Sequence, residues 1–349
     1  MSHIIGHAKP VFDGMMTAMC MHRPNEPLRL SRVPIPEIKD GQLLIRVRAC
    51  GVCRTDLHIL DAELPIHKTP LIPGHEVVGE VVNVGTQSHL FSYGDRVGIA
   101  WLGKTCGHCA YCLSKHENLC DKPQFTGYDN DGGYAEYVAA DATYCFQIPG
   151  QYDDIHAAPL LCAGLIGYRA YTMIIGAQRI GLYGFGAAAH IIAQIAIQQG
   201  KEVYAFTRPG DTPSQDFARS LGATWAGDSN QLPPAKLDAA IIFAASGELV
   251  PLALAATRKG ASVVCAGIYM SDIPGFSYSL LWGERSVRSV ANLTRADGAA
   301  FFASVKQYPV QINVVRYALT DANQALNDLR AGAFDGVAVL VPDSGDDID

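Results

Sequence analysis

The run Ile180-Gly181-Leu182-Tyr183-Gly184-Phe185-Gly186-Ala187-Ala188-Ala189 reads as a strand that turns at a glycine and opens straight into a helix. It is a G-x-G-x-x-[GA] pattern with alanine in third place, and on its own such a pattern is weak. Its surroundings strengthen it: an apolar helical pattern continues to Gln199, and a second strand, Val203-Tyr204-Ala205-Phe206, follows about twenty residues after the turn. Gly184 allows the tight turn, and Gly186 allows a dinucleotide pyrophosphate to approach the backbone. The helix start, with Phe185 and Ala187 to Ala189 around it, offers free N–H donors and partial positive charge. The alternative is a glycine-rich turn that holds no ligand.

Reading outward, residues 157–175 form an apolar stretch with helical spacing. Strand and helix patterns then alternate, with a helix over 212–221 and strands over 239–244 and 262–266. Such alternation indicates βαβ units and a doubly wound parallel sheet, an α/β fold. Two further helices are expected over 297–307 and 320–331, the second capped by Thr320 or Asp321 and stopped by Gly332. The first ~150 residues differ in texture, with β-rich runs at 43–48 and 76–82 and prolines at 24, 27, 34, 36, 65, 70 and 73 that exclude long helices. Residues 1–14 show no periodicity and read as an arm.

The end of the second strand bears on cofactor choice. An NAD-selective site places Asp or Glu there to accept hydrogen bonds from the adenosine ribose. In Ala205-Phe206-Thr207-Arg208-Pro209 there is none, and the next acid, Asp211, lies beyond Pro209 and Gly210. Thr207 and Arg208 offer donors and positive charge that suit a 2′-phosphate. NADP(H) is therefore favoured. NAD(H) is the alternative if Arg208 only stacks on adenine.

Composition narrows the field further. The chain has 349 residues, 49 % of them hydrophobic and 17 % charged, with a formal net charge of −7. That length accommodates two domains, each with its own core. No basic tract suggests nucleic acid, no apolar run is long enough to span a membrane, and no signal-like pattern opens the chain. Of ten cysteines, four lie in Cys106-Gly-His-Cys109-Ala-Tyr-Cys112 closed by Cys120, a C-x2-C-x2-C-x7-C spacing. Four thiolates so spaced can converge on one tetrahedral zinc as a closed, structural site. An Fe–S cluster and a chance grouping of free thiols are the alternatives. Cys20, Cys50, Cys145 and Cys265 lie apart in apolar contexts, which favours a reducing cytoplasm.

A second cluster is suggested by Gly51-Val52-Cys53-Arg54-Thr55-Asp56-Leu57-His58, by Gly74-His75-Glu76 and by Cys162. Two thiolates and an imidazole are the ligand composition of an open, catalytic zinc, but sequence distance alone does not bring them together. Here the chain resembles the zinc-dependent alcohol dehydrogenases of the medium-chain dehydrogenase/reductase superfamily. The resemblance runs from about Thr17 to Pro342 and rests on ordered motifs: G-V-C-R-T-D-x-H, G-H-E, Gly94-Asp-Arg-Val97, the cysteine lobe, Gly132-Gly-Tyr-Ala-Glu-Tyr137 and the glycine loop.

That resemblance implies a GroES-like β-rich catalytic domain over 1–159 carrying the zinc lobe at 101–122. It implies a Rossmann domain over 160–296 and a return to the catalytic domain over 297–349. Cys53, His75 and Cys162 match the catalytic zinc ligands, giving two zincs per chain with the lobe, and Glu76 matches the acid able to approach the metal. Thr55 matches the hydroxyl that contacts the substrate oxygen, and His58 the base at the solvent end of a proton relay that includes the cofactor ribose. Asp56 matches the carboxylate that orients the ligand histidine, and Arg54 a cation against the pyrophosphate. The implied reaction is hydride transfer between an alcohol and NAD(P), in a homodimer or homotetramer. Ile166 stands where many relatives have a threonine against nicotinamide, and Val337 or Ala338 where some have an arginine. Trp101, Leu281 and Trp282 are candidates to line the substrate pocket. Competing readings are a zinc-free quinone or enone reductase and a silent, cofactor-binding structural protein.

Overall fold

The aliphatic runs of the first half become the centre of a sheet. In the computed structural model, which describes residues 14–342, Gln42–Val52 pairs antiparallel with Glu76–Val84. Around this pair runs a seven-stranded sheet in the order Val314–Ala318, Val337–Val341, Gln42–Val52, Glu76–Val84, Arg96–Ile99, Cys145–Gln147, with Tyr137–Asp141 also on Gln42–Val52. The last strands of the chain thus lie in the same sheet as its first half. The prolines act as expected here: apart from short turns of helix, this half holds only the seven-residue helix Arg54–Leu60. The expected arm at 1–14 falls outside the described residues, save Gly14.

The second half forms a six-stranded, all-parallel sheet. Its order is Trp225–Asp228, Glu202–Thr207, Arg179–Tyr183, Leu237–Ile242, Thr257–Cys265, Ser286–Ser289. The strand order reverses between Arg179–Tyr183 and Leu237–Ile242, the crevice where such sheets take dinucleotides. Helix Ala187–Gln198 packs on the sheet with Ile191, Ile192 and Ile195 fully buried, and Thr212–Ser220 follows the next strand. Fold class and strand alternation therefore match the sequence reading.

Two helical expectations change. The stretch 157–175 is not one helix. A 3₁₀ turn Ala158–Leu161 precedes helix Ala163–Thr172, and Cys162 between them leaves helical geometry at φ −127°, ψ −69°. Pro159 stands in the first turn of the 3₁₀ segment, where its missing N–H is tolerated, so the break comes after it, at Cys162. Near the C-terminus, a 3₁₀ turn Leu319–Asp321 leads into helix Ala322–Ala331, and neither Thr320 nor Asp321 caps it by its side chain. Its stop is as expected, with Gly332 left-handed at φ +64°. Helix Arg295–Gln307 carries a reciprocal cap, Thr294 and Asp297, that the sequence reading missed.

The cysteine lobe is tied to that helix. Glu117, 5 % exposed, accepts from the Arg295 backbone N–H at 3.0 Å and from its Nε at 3.3 Å. Burial opposes the charge of Glu117, but these donors hold its carboxyl below the usual range. Glu117→Ala is expected to cost about 1–3 kcal/mol, as a charged acceptor is lost and a donor left unpaired. Because the folded value is lowered, this contribution is complete above the ordinary glutamate value of about 4.3 and is lost as acid protonates the folded carboxyl. Urea midpoints of the wild type and variant should therefore converge only below about pH 4. A constant gap down to pH 3 would count against it.

Candidate metal centre and cofactor cleft

Sheet register brings the first two residues of the site together. Gly51 pairs with Glu76, so Cys53, just past the end of one strand, lies beside His75, just before the start of the other. Cys162 joins them from the break between its two helical segments. The ligand atoms of Cys53, His75, Glu76 and Cys162 all lie within 4.8 Å of one another. The two sulfurs are 3.8 Å apart, far beyond a disulfide bond. Two thiolates on a tetrahedral zinc, with Zn–S bonds of about 2.3 Å, would stand about 3.8 Å apart.

Buried polar atoms give the second test of fit. His75 is fully buried, yet neither ring nitrogen has a hydrogen-bond partner, and Glu76 Oε2 is buried and unpartnered too. Asp56 Oδ1 lies 3.3 Å from His75 Nδ1, close enough to orient the ring. The contact between sulfurs holds Cys53 well below the thiol range and pushes Cys162 up, while burial pushes Glu76 up. Burial alone would lower His75, but Asp56 and then Cys53 together raise it well above its ordinary value. Unpaired donors of this softness, packed this closely, suit a zinc ion.

The lobe fits a closed site. Cys106, Cys109, Cys112 and Cys120 also place their sulfurs within 4.8 Å of one another, with Cys106 and Cys112 3.9 Å apart. Backbone amides point at the sulfurs: Cys109 N–H donates to Cys106 Sγ, and the amides of Cys106 and Lys122 to Cys120 Sγ, each at 3.3 Å. Such amides stabilise thiolates, and the Asp121 and Cys112 amides bring Cys109 down to about 6. By contrast, the four cysteines outside the clusters are all buried and free.

Around the junction, Thr55 is buried with its Oγ1 3.6 Å from Cys53 Sγ. His58 follows one turn later on the same short helix, its ring tilted against Tyr269 at 5.5 Å and its Nδ1 paired with the Glu63 carboxylate. A neutral His58 that donates its Nδ1–H to this carboxylate has Nε2 as its acceptor nitrogen. Trp101 is buried in the core, where it stacks on Phe125 at 4.9 Å and meets His75 edge-on at 5.0 Å. Leu281 is half-buried and packs against the core of the parallel sheet, whereas Trp282 is 64 % exposed and tilted on Tyr278.

At the glycine loop, Gly184 has φ +85°, and a Cβ there would lie 2.8 Å from Ala244. A Cβ on Gly186 would meet nothing within 4 Å, so the space in front of the helix is open to a ligand. Gly186 caps helix Ala187–Gln198 without any side-chain acceptor, which leaves the first N–H groups available. Thr207 is 3 % exposed, and its hydroxyl donates to Arg208 O and accepts from Gln215 Nε2, both at 3.1 Å. Its hydroxyl is thus engaged within its own loop, and of the pair Arg208 alone is exposed with donors to spare. Asp211 caps the next helix through Ser214 N–H, and Asp228, in register with Thr207, accepts from Gly210 N–H and Gln215. Neither acid is left open at the strand end. Arg54 is exposed at the start of its helix, while Ile166 is half-buried and Val337 buried.

Glu63, Tyr269 and Tyr134 are the neighbours of this site that the sequence reading passed over. Glu63 and Tyr269 carry no local signal, and Tyr134 stood inside a quoted motif without a role.

Comparison with known proteins agrees with this architecture. Residues 39–150 match the alcohol dehydrogenase GroES-like domain. A probable alcohol dehydrogenase AdhA of Mycobacterium tuberculosis (strain CDC 1551 / Oshkosh) is 45 % identical over 344 residues, covering 95 % of this chain and 99 % of that one. Among solved structures, acetophenone reductase from Geotrichum candidum NBRC 4597 in complex with NAD is 26 % identical, with a TM-score of 0.85 over 97 % of this chain and 100 % of that one. A "putative zinc-binding dehydrogenase" from Sinorhizobium meliloti 1021 bound to NADP is 25 % identical, with a TM-score of 0.82 over 94 % and 99 % of the chains. Kinship over nearly the whole of both chains, on a fold that gathers two cysteines and a histidine beside a dinucleotide crevice, places this chain in the family of zinc-dependent alcohol dehydrogenases within the medium-chain dehydrogenase/reductase superfamily.

Proposed function

We propose that the protein interconverts alcohols with aldehydes or ketones using NADP(H), with one zinc held by Cys53, His75 and Cys162 and a second by the cysteine lobe. The observation that carries this reading is the pair of sulfurs at 3.8 Å beside a buried histidine with two unpartnered nitrogens. Zinc held there supplies Lewis acidity that lowers the pKa of an alcohol hydroxyl toward neutrality. The nicotinamide ring supplies the hydride acceptor. Thr55 takes the hydroxyl proton and passes it toward His58 Nε2, while Glu63 holds the far side of the imidazole. Asp56 keeps the ligand histidine in place, and Glu76, with an unpartnered buried oxygen, is the acid able to move toward the metal. Trp101 forms one wall of the pocket.

For the cofactor, Gly184 to Ala189 receive the pyrophosphate, Arg54 opposes its charge, and Arg208 meets the 2′-phosphate. A guanidinium partner for that phosphate favours NADPH by about 1–3 kcal/mol. Arg208→Ala should therefore raise KM for NADPH about tenfold or more and leave KM for NADH nearly unchanged. If the wild type already prefers NADH and the variant affects both cofactors alike, Arg208 only supports adenine and the enzyme is NAD(H)-specific.

We further assign residues 1–159 and 297–349 to the catalytic domain and 160–296 to the cofactor domain. The chain is a homodimer or homotetramer, working in a reducing cytoplasm, that associates through the edge strand Ser286–Ser289. One side of that strand is unpaired among the described residues, and Ile268, Tyr278 and Trp282 are exposed on the segment leading to it. Steady-state rates for aromatic and aliphatic aldehydes with NADPH and NADH, measured alongside zinc content, test the assignment as a whole. About two zincs per chain with turnover supports it. One zinc without turnover points to a silent scaffold.

A further inference from the structure

The run Gly132-Gly133-Tyr134 has no part in the chemistry above, yet it is bound to the junction cluster from behind. Gly132 N–H donates to Ile72 O at 2.8 Å, Gly133 N–H to Gly74 O at 2.9 Å and Tyr134 N–H to Pro73 O at 3.0 Å. These bonds strap the run along the residues that lead into His75. The approach is so close that a Cβ on Gly132 would stand 2.0 Å from Gly74 O. On the other side of the strap, a Cβ on Gly74 would stand 2.3 Å from the Tyr134 ring, which is fully buried. The Tyr134 hydroxyl donates to Asp56 Oδ2 at 3.1 Å. The same oxygen accepts Cys53 N–H at 2.8 Å, and the other oxygen, Oδ1, faces His75 Nδ1 at 3.3 Å.

We propose that Tyr134 is a positioning residue for the junction metal: its hydroxyl clamps Asp56, whose other oxygen, 3.3 Å from His75 Nδ1, orients the ring so that Nε2 is left for ligation. The inference rests on the reading of Cys53, His75 and Cys162 as a zinc site. Rotation of an aspartate carboxyl about its last torsion is soft, so one donor on Oδ2 does not fix its plane. Two donors from different segments do: Cys53 N–H carries the first ligand's backbone, and Tyr134 O–H carries the strap beneath the second. Burial pushes the phenol pKa up, so Tyr134 remains a donor throughout the working range. Ligand geometry is thereby coupled across the sheet before any metal arrives. Loss of an outer partner of a ligating histidine generally weakens metal binding 10–100-fold.

The test uses the full-length, zinc-loaded protein and its Tyr134→Phe variant, which keeps the ring and removes only the hydroxyl. Zinc transfer to a chromogenic chelator is followed, with the lobe zinc as internal reference. The variant should release junction zinc at about 10–100-fold lower chelator activity, with lobe zinc unchanged. If Tyr134 acts through Asp56, the double variant with Asp56→Asn should bind no more weakly than Asp56→Asn alone. Wild-type retention in Tyr134→Phe, or losses that simply add in the double variant, would overturn the proposal. So would parallel loss of both zincs with near-UV circular dichroism, which marks a general packing role. Failure of the underlying reading is distinct, since the wild type itself would then bind zinc only at the lobe.

Discussion

Cys162→Ala should abolish alcohol oxidation and lower the zinc content by one atom per chain while leaving the lobe zinc in place. Cys53 and His75 can still approach each other without Cys162, but two ligands do not make the three-ligand, one-vacancy site that zinc catalysis uses. Loss of an outer-shell partner alone costs 10–100-fold, so loss of a ligand should cost turnover by about 10³-fold or more. The fold should survive. Leu160, Leu161 and Leu165 around the position are fully buried and anchor the segment in the core. A shorter side chain at an already broken helical position should cost no more than about 1–2 kcal/mol. Zinc analysis, far-UV circular dichroism and initial rates on one preparation decide the matter. Undiminished turnover would remove Cys162 from the site.

Cys109→Ala should act by a different route, destabilising the lobe rather than the chemistry. The segment from Cys106 to Cys120 has little apolar core of its own: Tyr111, Leu113 and Leu119 are 43 %, 73 % and 43 % exposed. Its only regular pieces are the four-residue helix Ala110–Leu113 and the 3₁₀ turn Glu117–Leu119, too short to persist alone. A closed thiolate site supplies the missing folding energy, on the order of 10 kcal/mol in isolated zinc modules. With three cysteines left, the thermal midpoint should fall by about 5 °C or more, and amides of the segment should lose hydrogen-exchange protection. Junction zinc should be retained. Activity should decline only as the lobe's hold on Arg295 through Glu117, and any assembly that depends on the lobe, is lost. A variant with both zincs and an unchanged midpoint would deny the lobe its structural role.

How much of this was legible in the sequence depends on how locally each feature is encoded. The cysteine lobe lies within fifteen residues, so spacing alone announces it. The strand, glycine turn and helix from Ile180 to Gln198 are likewise one continuous signal, because periodicity of burial is written along the segment that is buried. The helix break at Cys162 was not legible, since Leu160, Leu161 and Leu165 continue a helical apolar pattern straight through it. The open ends at Thr320 and Asp321 failed for a similar reason: both residue types cap helices, but a preceding 3₁₀ turn decides whether the side chain reaches.

By itself the sequence determined the fold class, the lobe, the dinucleotide turn and, through resemblance, the residues worth following. Only the tertiary structure decided how those residues meet. Cys53 and His75 become neighbours because Gly51 pairs with Glu76, and a shift of that register by one residue would turn every side chain of the strand to the other face. Tyr134 reaches Asp56 across 78 positions because the Gly132-Gly133 strap lies flat against Pro73 and Gly74. Thr207 turns its hydroxyl inward to Gln215 and leaves Arg208 facing outward. These are pairings between distant segments, set by strand register and close backbone approach, and no local pattern of residue types contains them.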